Sequence, residues 1–108
     1  MGTNYYIKVG QGKGKPKREM HIGKQSAGWR FLARLDEDIP CKSFEDYINF
    51  IRKYKIYNEY LRTVPLTLFR ESIISRKNDL KTKEYYKTSK IFCIDYWSEC
   101  DFTRDVFC

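Results

Sequence analysis

The hydrophobic period changes along a short stretch of this chain, and that change limits the folds open to it. In residues 28–35, Trp29, Phe31 and Ala33 alternate with Arg30, Leu32 and Arg34. A period of two predicts a strand with one apolar face and one mostly basic face. Shortly afterwards Phe44, Tyr47, Ile48 and Ile51 follow helical spacing and give one apolar stripe. A chain carrying both periods has to pack a sheet against helices, which places it in the α+β class. Its 108 residues suffice for one domain with a real core. The expectation is a single α+β domain over residues 1–108, with a small antiparallel sheet packed against two helices.

The other elements follow in order. Residues 4–9, rich in β-formers, read as a first strand. Residues 10–18 carry three glycines, a proline and four cations, which predicts a mobile basic loop. Residues 19–23 read as a second strand, and residues 24–27 as the connection to 28–35. Ser43 starts the first helix, over 43–55, with Asp46 at the capping-box position and Arg52, Lys53 and Lys55 in the last turn. Residues 56–61 form a short strand or extended link. Pro65 opens a second helix over 65–77, with Leu66, Phe69 and Ile73 as its apolar stripe. A polar loop over 79–89, a strand over 91–97 and a short strand or helical turn over 101–108 complete the chain.

Charge is distributed unevenly. Residues 1–34 hold eight basic side chains against Glu19 alone, and the remainder holds thirteen of each sign. The whole net charge of +7 therefore belongs to the first third of the chain. Such an excess favours a phosphate-bearing partner, or serves solubility as a solvated basic face. Aromatic residues reach 17%. Most belong in a core built from rings, and some could stack on bases.

Cys41, Cys93, Cys100 and Cys108 form no Cys-x-x-Cys pair. Their spacing does not fit a structural zinc pattern, so they read as reduced thiols, and no metal or other cofactor is expected. The N-terminus lacks the apolar core of a secretory signal, and no apolar run reaches the length of a membrane span. The expected location is the cytoplasm, without membrane association.

The densest set of candidate ligand groups is residues 21–31. His21, Lys24, Ser26, Trp29 and Arg30 combine a ring, two cations, a hydroxyl and an indole. Gly23 and Gly28 permit positive φ or close backbone approach. Lys24 suits a phosphate as a point charge. His21 is the only histidine, and a hydrogen-bonded structural role competes with a functional one. No acidic residue is placed in sequence to orient its imidazole and no nucleophile elbow is present, so binding is favoured over catalysis. Lys13, Lys15, Lys17 and Arg18 form a second candidate, a phosphate or nucleic-acid loop, although the sequence is not a P-loop.

The opening residues 1–6, Met-Gly-Thr-Asn-Tyr-Tyr, and the run His-Ile-Gly-Lys-Gln-Ser-Ala-Gly-Trp at 21–29 resemble a family of small proteins of tailed phages and prophages. Many of that family carry a Cys-x-x-Cys-Gly knuckle where this chain has residues 10–18 without cysteine, so a metal site is not carried over. The resemblance implies a phage protein at work in a host cell, more than an activity. Together these readings point to a small binding protein. It would capture a phosphorylated nucleotide or nucleotide-derived immune signal without catalysis, as a counter-defence sponge. The alternatives are a basic DNA- or RNA-binding protein and an inhibitor that binds a host defence protein.

Overall fold

The structure, a computed structural model, describes residues 2–9, 18–35, 40–81 and 94–104, with 94–96 described by backbone alone. Among the described residues seven strands form one sheet: β1 (Gly2–Val9), β2 (Arg18–Ser26), β3 (Leu32–Arg34), β4 (Ile56–Asn58), β5 (Thr63–Val64), β6 (Ile94–Tyr96) and β7 (Asp101–Thr103). Their order across the sheet is β5-β4-β1-β2-β3-β7-β6. Helix α1 (Phe44–Ile51) lies between β3 and β4 in the chain, and α2 (Leu66–Ser75) between β5 and β6. The α+β architecture is the one expected. One pairing, β3 with β7, is parallel and the others are antiparallel. The parallel pair arises because the chain leaves β3 through both helices and returns to it only at the end, a long crossover of the kind parallel strands need.

Element boundaries differ from the sequence reading in informative ways. Strand β2 continues through Ser26, so Lys24 and Ser26 sit on a strand and not in the connection. The turn is Ser26–Trp29, closed by Trp29 N donating to Ser26 O at 3.1 Å. Gly28 takes φ +82 at its third position, where a type II turn requires a residue without Cβ. β3 is correspondingly shorter than the expected 28–35 and begins at Leu32.

Helix α1 is capped as expected at one end only. Ser43 Oγ accepts from Asp46 N at 3.2 Å, but Asp46 Oδ2 accepts from Lys42 N, one residue before the box position. The helix stops at Ile51, so Arg52, Lys53 and Lys55 lie beyond it and do not complement its last turn. Tyr54 N donates to Ile51 O at 3.0 Å in a tight turn, and the buried Ile56 draws the chain into the sheet. In α2, Pro65 is the cap residue, and Phe69 and Ile73 are the buried positions.

Both helices cover the same sheet face. Tyr5, Ile7, Met20, Ala33, Ile56 and Phe102 project from the strands toward Phe44, Tyr47, Ile51, Phe69 and Ile73. Rings dominate the contact. Phe31 and Phe69 meet edge to face at 5.4 Å, Tyr5 and Phe69 at 5.0 Å, and Trp97 stacks on Phe102 at 4.5 Å. Gly23 lies beneath Phe31, and a Cβ there would overlap the Phe31 ring. Its role is close approach, whereas that of Gly28 is positive φ.

The β1–β2 register slips by one residue. Tyr5 faces Gly23 and Tyr6 faces His21, leaving Ile22 as an extra residue in β2. This is a β-bulge. Ile22 is fully buried, and the Tyr47 hydroxyl donates to its carbonyl oxygen at 2.6 Å. Replacing Tyr47 with Phe removes that donor and leaves a buried carbonyl to be satisfied. We expect Tyr47→Phe to cost about 1–3 kcal/mol in urea unfolding.

The β4–β5 hairpin offers a second check. Asn58 Oδ1 accepts from Tyr60 N and Arg62 N at 2.9 and 3.0 Å, and this wraps the tip with Leu61 at φ 62. Leu61 is 72% exposed, so little packing offsets the left-handed conformation. That conformation costs an L-residue roughly 1–2 kcal/mol, against about 0.5–1 kcal/mol for the entropy a glycine adds. Leu61→Gly is expected to raise the urea midpoint, with a gain of about 0.5 kcal/mol.

Candidate ligand-binding face of the sheet

Residues three apart on a regular strand point to opposite faces. His21 and Lys24 escape that rule because Ile22 is the bulged residue between them. His21 faces Tyr6, Lys24 faces Asn4 and Ser26 faces Gly2, and all three positions of β1 lie on the side away from the helices. Gly2 confirms the arrangement: a Cβ there would stand 2.8 Å from Ser26 Oγ and 3.0 Å from Lys24 Cε. Of the five residues singled out in the sequence, His21, Lys24 and Ser26 therefore share one face, all half-buried.

His21 Nε2 lies 3.0 Å from Asn4 Oδ1, and with the ring proton on Nε2 it donates to that oxygen. Its ring packs on Tyr6 at 5.0 Å. On the next strand Tyr57 faces Tyr6, so His21, Tyr6 and Tyr57 form a row of rings across β2, β1 and β4. Lys8 places its Nζ 5.4 Å from the centre of the Tyr57 ring. On the other side of the row Arg34 Nη1 donates to His21 O at 3.3 Å.

The His21 pKa is lowered to about 4. Burial is the largest cause, followed by the positive charge of Arg34, while a hydrogen bond with the Gly23 backbone acts upward and Lys24 pushes it lower. His21 is therefore neutral at neutral pH. It offers a ring and a hydrogen bond, and the positive charge of this face comes from lysine and arginine.

The remaining two candidates take other positions. Arg30 is buried. Its Nη2 donates to Trp97 O at 2.6 Å, and its Nη1 lies 3.6 Å from the buried Asp101 carboxylate. It ties the Ser26–Trp29 turn to the β6–β7 hairpin. Trp29 is half-buried and forms a parallel bridge with Leu80, next to Arg30 N donating to Leu80 O at 2.8 Å. Gln25 steadies the turn by donating from Nε2 to Trp29 O and Ser26 O, at 2.9 and 3.0 Å. Arg18 begins β2 and is exposed, while Lys13, Lys15 and Lys17 lie outside the described residues.

The sequence reading missed Asn4, Tyr6 and Tyr57 as members of this face. The signal for the first two was present, since Asn4, Tyr6 and Lys8 alternate with Tyr5, Ile7 and Val9. Nothing in the sequence announces that β4 lies beside β1.

Two of the four cysteines, Cys41 and Cys100, are buried thiols outside any disulfide. Burial raises the pKa of both, so neither is an activated nucleophile. Cys93 and Cys108 lie outside the described residues. No helix among the described residues is long and apolar enough to cross a membrane. Comparison with known proteins gives no match to a family model, a curated protein or a solved structure.

The depressed His21 pKa has a signed consequence. The unfolded chain takes up a proton near the ordinary value of 6.5, and the folded chain only near 4. Stability contributed by neutral His21 is thus complete above pH 6.5 and is lost as pH falls toward 4. Denaturant titrations of the wild type and His21→Gln over this range should converge as pH falls. Parallel curves at all pH values would show that His21 titrates normally.

Proposed function

We propose that the face carrying His21, Lys24 and Ser26 binds a phosphorylated nucleotide and does not turn it over. The observation that carries this reading is the bulge at Ile22, which brings a neutral imidazole, an ammonium group and a hydroxyl to one side of the sheet. Lys24 and Ser26 suit a phosphate, as a charge and a hydrogen-bond donor. Tyr6 and His21 supply rings against which a base can stack. Binding without turnover is favoured because an imidazole with a pKa near 4 is a poor general base at neutral pH. In the setting implied by the phage-family resemblance, such a protein would sequester a nucleotide-derived immune signal of the host cell.

The row His21–Tyr6–Tyr57, which runs across three strands and is flanked by Lys8 and Lys24, also supports a second reading, the binding of a single-stranded nucleic acid. Salt dependence separates the two. A strand contacting many phosphates releases many counterions and gives a steep slope, whereas one nucleotide gives a shallow one.

Calorimetry with a nucleotide panel that includes cyclic and ADP-ribose-type molecules tests the proposal. Lys24→Ala should cost about 1.5–3 kcal/mol, or roughly one to two decades in affinity. The His21 ring resonance gives an independent readout. A bound anion offsets the positive charges of Arg34 and Lys24, so the His21 pKa should rise from about 4 toward 6.5. An unchanged His21 titration at saturating nucleotide, or affinity indifferent to Lys24→Ala, places the ligand elsewhere. Degradation of the nucleotide during incubation replaces binding by catalysis.

A further inference from the structure

We propose a second anion site, which takes in Lys8 and Tyr57 at one end of the row of rings but neither His21 nor Lys24, in the cleft where the chain leaves α1 and enters β4. The cleft holds about 290 Å³ and is lined by Lys8, Lys53, Tyr54, Lys55 and Tyr57. Among the described residues its three charged groups are all lysines, and none of them takes part in an ion pair. Glu19 is the cross-strand neighbour of Lys8 on β2, yet it makes no ion pair with it. On the other side, β1 and β4 pair Tyr5 with Asn58 and Tyr6 with Tyr57. Continuing that register sets Lys8 beside Lys55.

Like charges placed opposite one another across two strands are unfavourable by themselves. An anion between them turns the repulsion into two attractions. The short α1 adds the third charge: because the helix ends at Ile51, Lys53 lies in the turn that follows it, at the cleft. Tyr54 and Tyr57 add hydroxyls and half-buried rings, and Tyr57 already lies under the Lys8 ammonium group. Three ammonium groups around one concavity suit a ligand with several adjacent negative charges. The class assigned is a chain of linked phosphates, either bare or carried by a nucleoside.

Two-dimensional NMR titration with inorganic tripolyphosphate, and separately with ATP, tests this on the full chain. The amide signals of Lys8 and of residues 53–57 should shift in both titrations, in the wild type and in Lys24→Ala alike. That independence from Lys24 separates this site from the His21 face, so either proposal can fail alone. The double substitution Lys53→Glu, Lys55→Glu, at two exposed positions, should weaken tripolyphosphate by about tenfold or more. The control Lys42→Glu, Lys77→Glu makes the same change in net charge at exposed positions outside the cleft and should leave the affinity nearly unchanged. Tighter binding of ATP than of tripolyphosphate identifies a nucleoside-borne chain held against a tyrosine ring, and equal binding identifies the phosphate chain alone. The proposal is overturned if neither probe shifts these amides, if the cleft variant binds as well as the wild type, or if the control loses as much as the cleft variant.

Discussion

The hydrogen bond from the Tyr47 hydroxyl to the Ile22 carbonyl joins the helical layer to the irregular point of the sheet. A bulge leaves backbone groups out of the ladder, and a buried carbonyl in that position needs a donor. Tyr47 is fully buried, and burial raises its pKa well above the ordinary range, so the hydroxyl stays protonated and available to donate. The same ring packs 5.5 Å from Trp97, which stacks on Phe102 of β7. One side chain thus links α1, the bulge in β2 and the strand pair at the far side of the sheet. If the bulge slipped back into regular register, every residue of β2 on one side of it would change faces. Met20 would leave the core, or Lys24 would enter it.

That dependence explains why the aromatic core and the outer face are parts of one arrangement. Gly23 follows the bulge and has no side chain, so Phe31 can lie over the strand and meet Phe69. Phe31 in turn precedes β3, whose outward positions are Leu32 and Arg34. Its backbone oxygen accepts from Asp101 N at 3.0 Å, which begins the parallel pairing with β7. Arg30, drawn inward to Trp97 O and the Asp101 carboxylate, reinforces the same junction. A charge read in sequence as a ligand contact is held here by the β6–β7 hairpin.

The sequence made the local rules visible and hid the ones set by register. Phe31 and Ala33 of the alternating run and the stripe Phe44, Tyr47, Ile48 and Ile51 lie in the core as their periods indicate, whereas Trp29 does not. Ser43 identified the start of α1. The end of α1 was not legible, since Arg52 and Lys53 are good helix formers. What stops the helix is the pull of Ile56 into the sheet, a tertiary cause. Lys24 was read as part of a turn because Gly23 and Gly28 bracket it, yet Gly23 serves ring packing and only Gly28 bends the chain. The grouping of His21 with Lys24 depends on one extra residue in β2, and no propensity scale registers a one-residue slip. Lys8 and Lys55 come together only through the β1–β4 pairing, nearly fifty residues apart in the chain.

The protonation state of His21 connects the fold to the chemistry of its outer face. Burial accounts for the largest part of the pKa depression, and Arg34 and Lys24 add to it by their charge. A positive neighbourhood that disfavours protonating the imidazole is, for the same electrostatic reason, one that favours an anion. An anion bound there, as proposed, would be coupled to proton uptake at His21, and each would strengthen the other by the same factor. Lowering the pH would then tighten anion binding while weakening the fold that presents the site. At neutral pH the fold holds His21 uncharged, and the positive charge beside it is that of Arg34 and Lys24.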